Sequence, residues 1–194
     1  MGYSLILDTS NKSLVVGLAN EEKVIAKTQY YAWQRQSEMT VQEVKKIMED
    51  LNVSFDDLSE VILTIGPGSY TGVRIALTIG KVIALCKNIP IVELSSLNAL
   101  AGVEGRKMSI IDARSKRCYV GFYENGIKVK EDTIMKNDEI LEYSEENNYI
   151  LAGEVGVLGL EEKEIDLVDN MFKVSKLLKK TYNVHEVKPT YLKD

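Results

Sequence analysis

The feature of this sequence that most constrains its fold is an internal repeat. The two halves align without a gap through their first two predicted strands, and both predict three strands, a helix, a strand and a helix. Such repetition is typical of a duplicated structural unit. We therefore expect two lobes, residues 1–103 and 104–194, with the last helix over residues 170–182. The aligned identical residues are Asp8 with Asp112, Lys12 with Lys116, Val16 with Val120, and Gly17 with Gly121.

The most distinctive local unit is a strand, a glycine turn and a long apolar helix. Residues 61–65 (VILTI) are rich in β-branched side chains, which favours a buried strand. The run Gly66-Pro67-Gly68 ends this strand, and Ser69 or Thr71 is expected to cap the helix that follows. A glycine turn before a helix can bind a phosphate group, so this turn is a candidate phosphate-binding loop.

The turn matches none of three functional loops of similar shape. It lacks the Gly-Lys-Ser/Thr of the P-loop, and Thr71 stands where the dinucleotide-binding loop needs its third glycine. A nucleophile elbow around Ser69 would need glycines at the positions of Pro67 and Thr71. The spacing alone therefore favours a sharp turn that leads into a core helix.

The helix after the turn is apolar on nearly all sides and has small residues along one stripe. A helix of this kind is buried on more than one side, and a stripe of small residues allows a second helix backbone to come close. Two interpretations remain open, packing within the same chain and contact with another subunit. The stripe consists of Gly72, Ala76, Gly80 and Ala84.

The composition is that of an ordinary globular protein. With 194 residues, 45% hydrophobic side chains and a net charge of −5 at pH 7, the chain does not present the basic field that nucleic acids require. A local cluster at Lys176, Lys179 and Lys180 is interpreted as a solvated helix face. Cys86 and Cys118 form no C-x-x-C pair, and no apolar run reaches transmembrane length. We expect a cytoplasmic protein with reduced thiols and no membrane partner.

The repeat, with an aspartate at the end of the first strand of each half, resembles the actin and hexokinase ATPase architecture. The expected fold is therefore α/β, a duplicated actin-like ATPase (ribonuclease H-like) fold in which each lobe has a mixed sheet and helices. Within that superfamily, residues 66–74 (GPGSYTGVR) closely resemble the signature of the TsaB (YeaZ) family. Weaker agreement is found at Asp8-Thr9-Ser10, Gln36-Ser37-Glu38, Asp112-Ala113-Arg114 with Tyr119, and Pro189-Thr190-Tyr191-Leu192.

Members of this family are non-catalytic partners of the TsaD subunit. With TsaD and TsaE they are needed to form N6-threonylcarbamoyladenosine (t6A) at position 37 of tRNAs that read ANN codons. The resemblance thus implies a scaffold role and only indirect contact with tRNA. The family pairs its N-terminal lobes through helices, in homodimers or TsaB–TsaD heterodimers, and these helices correspond to residues 37–51 and 70–85. The interface residues expected here are Glu38, Val41, Lys45, Gly72, Val73, Ala76, Leu77, Gly80, Lys81 and Ala84.

The resemblance also implies that this chain lacks the chemistry of its catalytic relatives. TsaD binds a metal through two histidines on its first helix, whereas the only histidine here is His185. No metal site and no catalytic residue is therefore expected. Arg114 is a bulky cation where ATP-binding relatives have small side chains, and residues 153–156 (GEVG) match the adenosine loop poorly.

ATP is accordingly expected to bind only weakly or at a shared subunit surface. The candidate nucleotide contacts are Asp8, Thr9, Ser10, Asp112 and Arg114. Asp8 and Asp112 can instead be turn residues without a ligand. The alternative function is an ATP-binding phosphotransferase or ATPase that uses Asp8 and Asp112.

Overall fold

The first half of the chain forms a five-stranded mixed sheet. The structure is a computed structural model that describes residues 2–192. The strand order is β3-β2-β1-β4-β5, in which β1, β2 and β3 are antiparallel neighbours and β4 and β5 run parallel to β1. In chain order the elements are β1 (Tyr3–Asp8), β2 (Ser13–Ala19), β3 (Val24–Tyr31), α1 (Gln36–Asp50), β4 (Leu58–Thr64), α2 (Tyr70–Lys87), β5 (Ile91–Leu94) and α3 (Ser96–Ala101).

The second half repeats this plan with one strand fewer. Its sheet has the order β8-β7-β6-β9, with β9 parallel to β6. No strand among residues 2–192 pairs with the outer edge of β9, the place that β5 occupies in the first sheet. The elements are β6 (Arg106–Arg114), β7 (Arg117–Glu124), β8 (Ile127–Lys136), α4 (Asn137–Glu146), β9 (Ile150–Gly153) and α5 (Leu167–Ser175).

The repeat extends to the hydrogen bonds that close the first turn of each lobe. Asp8 Oδ1 accepts a bond of 2.8 Å from the amide of Ser10, and Asp112 Oδ1 accepts one of 2.8 Å from the amide of Arg114. In both lobes an aspartate carboxylate therefore accepts a hydrogen bond from the backbone amide two residues further on. The predicted duplication of an α/β unit is confirmed.

Helices cover both faces of the first sheet. Leu5 and Leu7 of β1 pack in one cluster with α1 and α2, whereas Ile6 packs on the opposite face with α5, as the alternation of side chains along a strand requires. The short helix α3 packs on the second sheet. Since α5 follows the second sheet in sequence but covers the first, the predicted division at residue 103 separates the two sheets but not the helices packed on them.

The last helix is shorter than the sequence pattern predicts. It spans Leu167–Ser175 instead of residues 170–182. Asp166 caps its N-terminus, where its side chain accepts a backbone hydrogen bond of 3.1 Å. After the helix, Thr181 pairs with Ile91 at the free edge of β5. The prediction was wrong because the chain leaves the helix to extend the first sheet.

Candidate functional site

The glycine turn between β4 and α2 packs directly on the loop after β1. The amide of Ser69 donates a hydrogen bond of 2.7 Å to the carbonyl oxygen of Ser10. A Cβ atom on Gly68 would overlap that same oxygen, and a Cβ atom on Gly72 would overlap the carbonyl oxygen of Thr9. The two glycines therefore permit a backbone contact that no side chain would allow. Ser69 also caps α2, since its Oγ accepts a bond of 3.2 Å from the amide of Gly72.

Two of the predicted nucleotide contacts in this loop already have partners inside the chain. Asp8 is buried, and its Oδ1 accepts a second bond, of 2.5 Å, from the hydroxyl of Thr64. The hydroxyl of Thr9 donates a bond of 2.6 Å to the carbonyl of Gly72. Ser10 differs, because its buried hydroxyl has no hydrogen-bond partner among residues 2–192. The internal bonds of Asp8 and Thr9 favour a structural role for both.

The second aspartate loop is more exposed and is tied to the first lobe by Glu154. The amide of Asp112 donates a bond of 2.7 Å to Glu154 Oε2, and the ammonium of Lys12 lies 3.5 Å from Glu154 Oε1. Arg114 has φ of 66°, in the left-handed region. No sequence pattern assigns Glu154 a role, yet this side chain joins the turn of one lobe to the turn of the other.

An open cleft of about 700 Å³ lies between the two loops. Of the five predicted nucleotide contacts, Asp112 and Arg114 line this cleft, whereas Asp8 and Ser10 line an adjoining cavity of about 230 Å³ that shares Lys12 and Glu154 with it. The hydroxyl of Thr9 is buried beneath α2. Four of the five residues therefore line two adjoining cavities, whereas Thr9 lines neither of them. The aromatic residues that line the larger cleft are Trp33, Tyr70 and Tyr119.

The stripe of small residues on α2 faces the chain's own sheet. A Cβ atom on Gly80 would lie 2.5 Å from Leu63 Cδ2 and 3.2 Å from Val61 Cγ1, both on β4. The prediction that this side of α2 meets a partner is therefore corrected. The helix is apolar on nearly all sides, and the sequence did not reveal which side the sheet covers. The predicted interface residues that are instead buried within the chain are Gly72, Val73, Ala76, Leu77, Gly80 and Ala84.

The outward side of α1 and α2 carries exposed apolar side chains. Val41 on α1 is 57% exposed, and Val82 and Leu85 on α2 are 55% and 60% exposed. Both helices pack on the same face of the first sheet and contact each other. We call their exposed surface the α1/α2 face. It consists of Glu38, Val41, Lys45, Thr78, Val82 and Leu85.

Three of the predicted interface residues belong to the α1/α2 face, namely Glu38, Val41 and Lys45. Lys81 lies at the flank of α2, half-buried, where its ammonium donates a bond of 3.0 Å to the carbonyl of Val187. Exposed apolar side chains on two adjacent helices, here interspersed with Glu38, Lys45 and Thr78, are typical of protein interaction sites.

The described part of the chain offers no cluster of metal ligands. Among residues 2–192, no group of three or more His, Cys, Asp or Glu side chains could hold a metal ion.

Cys86 is exposed on α2, whereas Cys118 is buried. Burial, together with the charges of Asp112 and Glu154, raises the pKa of the Cys118 thiol to about 11. Within the same residues, no helix is long and apolar enough to cross a bilayer.

The sequence is similar to proteins of tRNA modification. A family model described as TsaD, tRNA N6-adenosine threonylcarbamoyltransferase, matches residues 30–181. The tRNA threonylcarbamoyladenosine biosynthesis protein TsaB of Bacillus subtilis (strain 168) is 38% identical over 129 residues, which are 63% of this chain and 56% of that protein. TsaB of Escherichia coli (strain K12) is 30% identical over 138 residues, 66% of this chain and 59% of that protein. The chain thus spans less than two thirds of the length of these relatives.

A solved structure shares the whole architecture. YeaZ from Pseudomonas aeruginosa superimposes with a TM-score of 0.84 at 19% sequence identity, covering 99% of this chain and 100% of that chain. This likeness identifies the fold as the duplicated, actin-like (ribonuclease H-like) α/β fold. The matching family model spans both α1 and α2 and the glycine turn between β4 and α2. Because that model covers most of the chain and the aligned relatives are TsaB proteins, the chain belongs to the TsaD family and, within it, to the TsaB (YeaZ) branch.

Proposed function

We propose that this chain is the scaffold subunit of the complex that forms t6A at position 37 of tRNAs reading ANN codons. It docks the catalytic subunit TsaD through the α1/α2 face and works together with TsaE. The observation that carries this proposal is the exposure of Val41, Val82 and Leu85 on two adjacent helices. Burial of these apolar side chains against a partner would stabilise the complex. The names of the aligned relatives support the assignment to t6A biosynthesis.

The chain itself is proposed to be non-catalytic and cytoplasmic, with only indirect contact with tRNA. The turn that receives phosphates in ATP-binding members of the superfamily is used here for internal packing, since Thr9 bonds to α2 and Asp8 bonds to Thr64 of β4. In the second turn the bulky side chain of Arg114 lines the cleft. In this proposal the duplicated fold serves to present the α1/α2 face.

Binding of TsaD from the same organism, measured by isothermal titration calorimetry, tests the docking face. Val82→Asp places a carboxylate within the face, and burying an unpaired charge is costly, so we expect Kd to rise by about 100-fold or more. Val129→Asp is the matched control, because Val129 is 48% exposed and lies on β8 of the other lobe. An unchanged Kd for Val82→Asp would overturn the proposed docking face.

In the absence of TsaD, we propose that the same face pairs two copies of this chain. The exposed side chains of Val82 and Leu85 would then be buried against the second copy. Sedimentation should show a dimer for the wild type and a monomer for Val82→Asp. A dimer that persists in this variant would place the contact elsewhere.

A second candidate function is an ATP-binding phosphotransferase or ATPase that uses Asp8 and Asp112. The open cleft of about 700 Å³ between the lobes favours it, because its volume suits a small ligand. Titration of the isolated chain with ATP and Mg²⁺ distinguishes the two functions. Turnover that is lost in Asp112→Asn would replace the scaffold proposal, whereas TsaD binding without ATP turnover would support it.

A further inference from the structure

The C-terminal segment runs along α2 and ends at the N-terminus of this helix. It begins where Thr181 pairs with the start of β5. Further on, the side chain of Val187 is fully buried and its carbonyl accepts a bond of 3.0 Å from Lys81 on α2. At the other end, the amide of Thr190 donates a bond of 2.7 Å to the carbonyl of Ile65, directly before the glycine turn. The segment therefore places Thr190 and Tyr191 beside the first turn of α2.

The next residue of this segment, Tyr191, forms a surface cluster with the first turn of α2. Its ring stacks on that of Tyr70, with centroids 5.3 Å apart and an interplanar angle of 24°. Its hydroxyl accepts a bond of 2.9 Å from Nε of Arg74, and the Arg74 Cζ lies 4.1 Å from the centre of the Tyr70 ring. We call Tyr70, Arg74 and Tyr191 the Arg74 cluster. It joins residues that are far apart in sequence.

Arg74 is an exposed cation that is held in place without an anionic partner among residues 2–192. No carboxylate among residues 2–192 forms an ion pair with it. Tyr191 occupies its Nε–H, and within residues 2–192 no other hydrogen bond engages the outer N–H groups of the guanidinium. Their planar, forked arrangement matches a carboxylate. Because stacking has already restricted this side chain, less conformational entropy is lost when such a group binds.

We propose that the Arg74 cluster is the specificity-determining end of the docking surface and binds a carboxylate side chain of the TsaD subunit. The inference rests on the proposed function and deepens it. Arg74 is followed on α2 at helical spacing by the exposed residues Thr78, Val82 and Leu85, so the cluster continues the α1/α2 face. Tyr and Arg side chains that are rigidly held dominate the binding energy of many interfaces. The C-terminal segment thereby acts as a positioning element for docking.

The single positive charge of the cluster favours a carboxylate-bearing protein partner over a nucleic acid. The cluster offers one cation between two exposed aromatic rings, Tyr70 and Tyr191 being 59% and 40% exposed. This is too little positive charge to hold a nucleic acid backbone, whose binding requires several cations. A single guanidinium fork with apolar surface beside it suits an Asp or Glu side chain at the rim of an interface.

The test compares two pairs of variants by titration with TsaD over a range of salt concentrations. Tyr191→Phe removes the hydroxyl that positions Arg74 and keeps the ring, so we expect Kd to rise by about 3- to 10-fold. Arg74→Gln removes the cation, and we expect a rise of about 10-fold or more together with a weaker dependence of Kd on salt.

The second lobe supplies matched controls for both substitutions. Arg106 lies over the ring of Tyr149 with Cζ 4.4 Å from its centre, and its Nη2 donates a bond of 3.4 Å to the Tyr149 hydroxyl. Arg106→Gln and Tyr149→Phe therefore remove the same chemistry away from the α1/α2 face. Both should leave the affinity for TsaD and its salt dependence unchanged.

The outcomes separate this inference from the proposed function. Weaker, less salt-dependent binding in Arg74→Gln and Tyr191→Phe, but not in the controls, supports the inference. If Val82→Asp abolishes binding while Arg74→Gln does not change it, the Arg74 cluster has no role and the docking face stands. If Val82→Asp has no effect either, the docking face itself is overturned. A loss in Arg74→Gln that is confined to the homodimer would overturn the choice of TsaD as partner.

Discussion

Gly72→Ala is expected to destabilise the fold although alanine is the better helix former. Its Cβ atom would overlap the carbonyl oxygen of Thr9, in a loop that the Thr9 hydroxyl holds with a bond of 2.6 Å to the Gly72 carbonyl. Overpacking lowers the free energy of unfolding by about 1–3 kcal/mol, and loss of this hydrogen bond lowers it by about 1 kcal/mol more. The higher helix propensity of alanine offsets about 1 kcal/mol of this loss. The net loss of about 1–3 kcal/mol should lower Tm by roughly 2–12 °C.

Thermal unfolding followed by circular dichroism measures this effect, and Gly80→Ala in the same helix is the control. The new Cβ atom at position 80 would meet Leu63 Cδ2 at 2.5 Å, which is the end of a side chain that rotation can move. We therefore expect a smaller loss, within about 1 kcal/mol of the wild type. A wild-type Tm for Gly72→Ala, or a larger loss for Gly80→Ala, would refute the argument that the turn needs a bare backbone.

Two further predictions concern charged and thiol groups. Burial alone would raise the pKa of Glu60, but hydrogen bonds from Lys180 and Ser4 hold it below its usual value. The stability that the ionised Glu60 gains from these hydrogen bonds is fully present above its unfolded pKa of about 4.3. It is lost as the pH falls through the lower pKa of the folded state. The difference in Tm between the wild type and Lys180→Met should therefore be smaller at acidic pH than at neutral pH. A difference that does not change with pH would contradict this explanation. A thiol reagent at neutral pH should label Cys86 rapidly and Cys118 only after unfolding, so equal rates would show that Cys118 is accessible.

The glycine turn and the repeat could be predicted because their signals are local. Residues 61–65 predict a buried strand, and Ser69 is a helix cap by residue type and position, as the structure has it. The paired aspartates, Asp8 and Asp112, indicate two equivalent turns before any contact is known. In each case the physical cause lies within a few residues of the pattern that reveals it.

The orientation of α2 could not be predicted, because both of its sides are apolar. Gly72 and Gly80 indicate that something approaches the backbone closely, but not whether it is β4 or another subunit. The spacing of Val82 and Leu85 is compatible with either side of the helix. The contact of Arg74 with Tyr191 spans 117 residues of sequence, and no local pattern encodes it. Tertiary packing decided each of these features.

Formation of t6A in a reconstituted reaction tests whether the α1/α2 face is needed for the function of the complex. Unmodified tRNA, TsaD, TsaE and threonylcarbamoyl-adenylate are combined with the wild-type chain, with Val82→Asp or with Val129→Asp, and t6A is measured by nucleoside mass spectrometry. The account predicts that the wild type and Val129→Asp support t6A formation, whereas Val82→Asp and the reaction without this chain do not. Equal t6A formation with Val82→Asp, or without the chain, would contradict it.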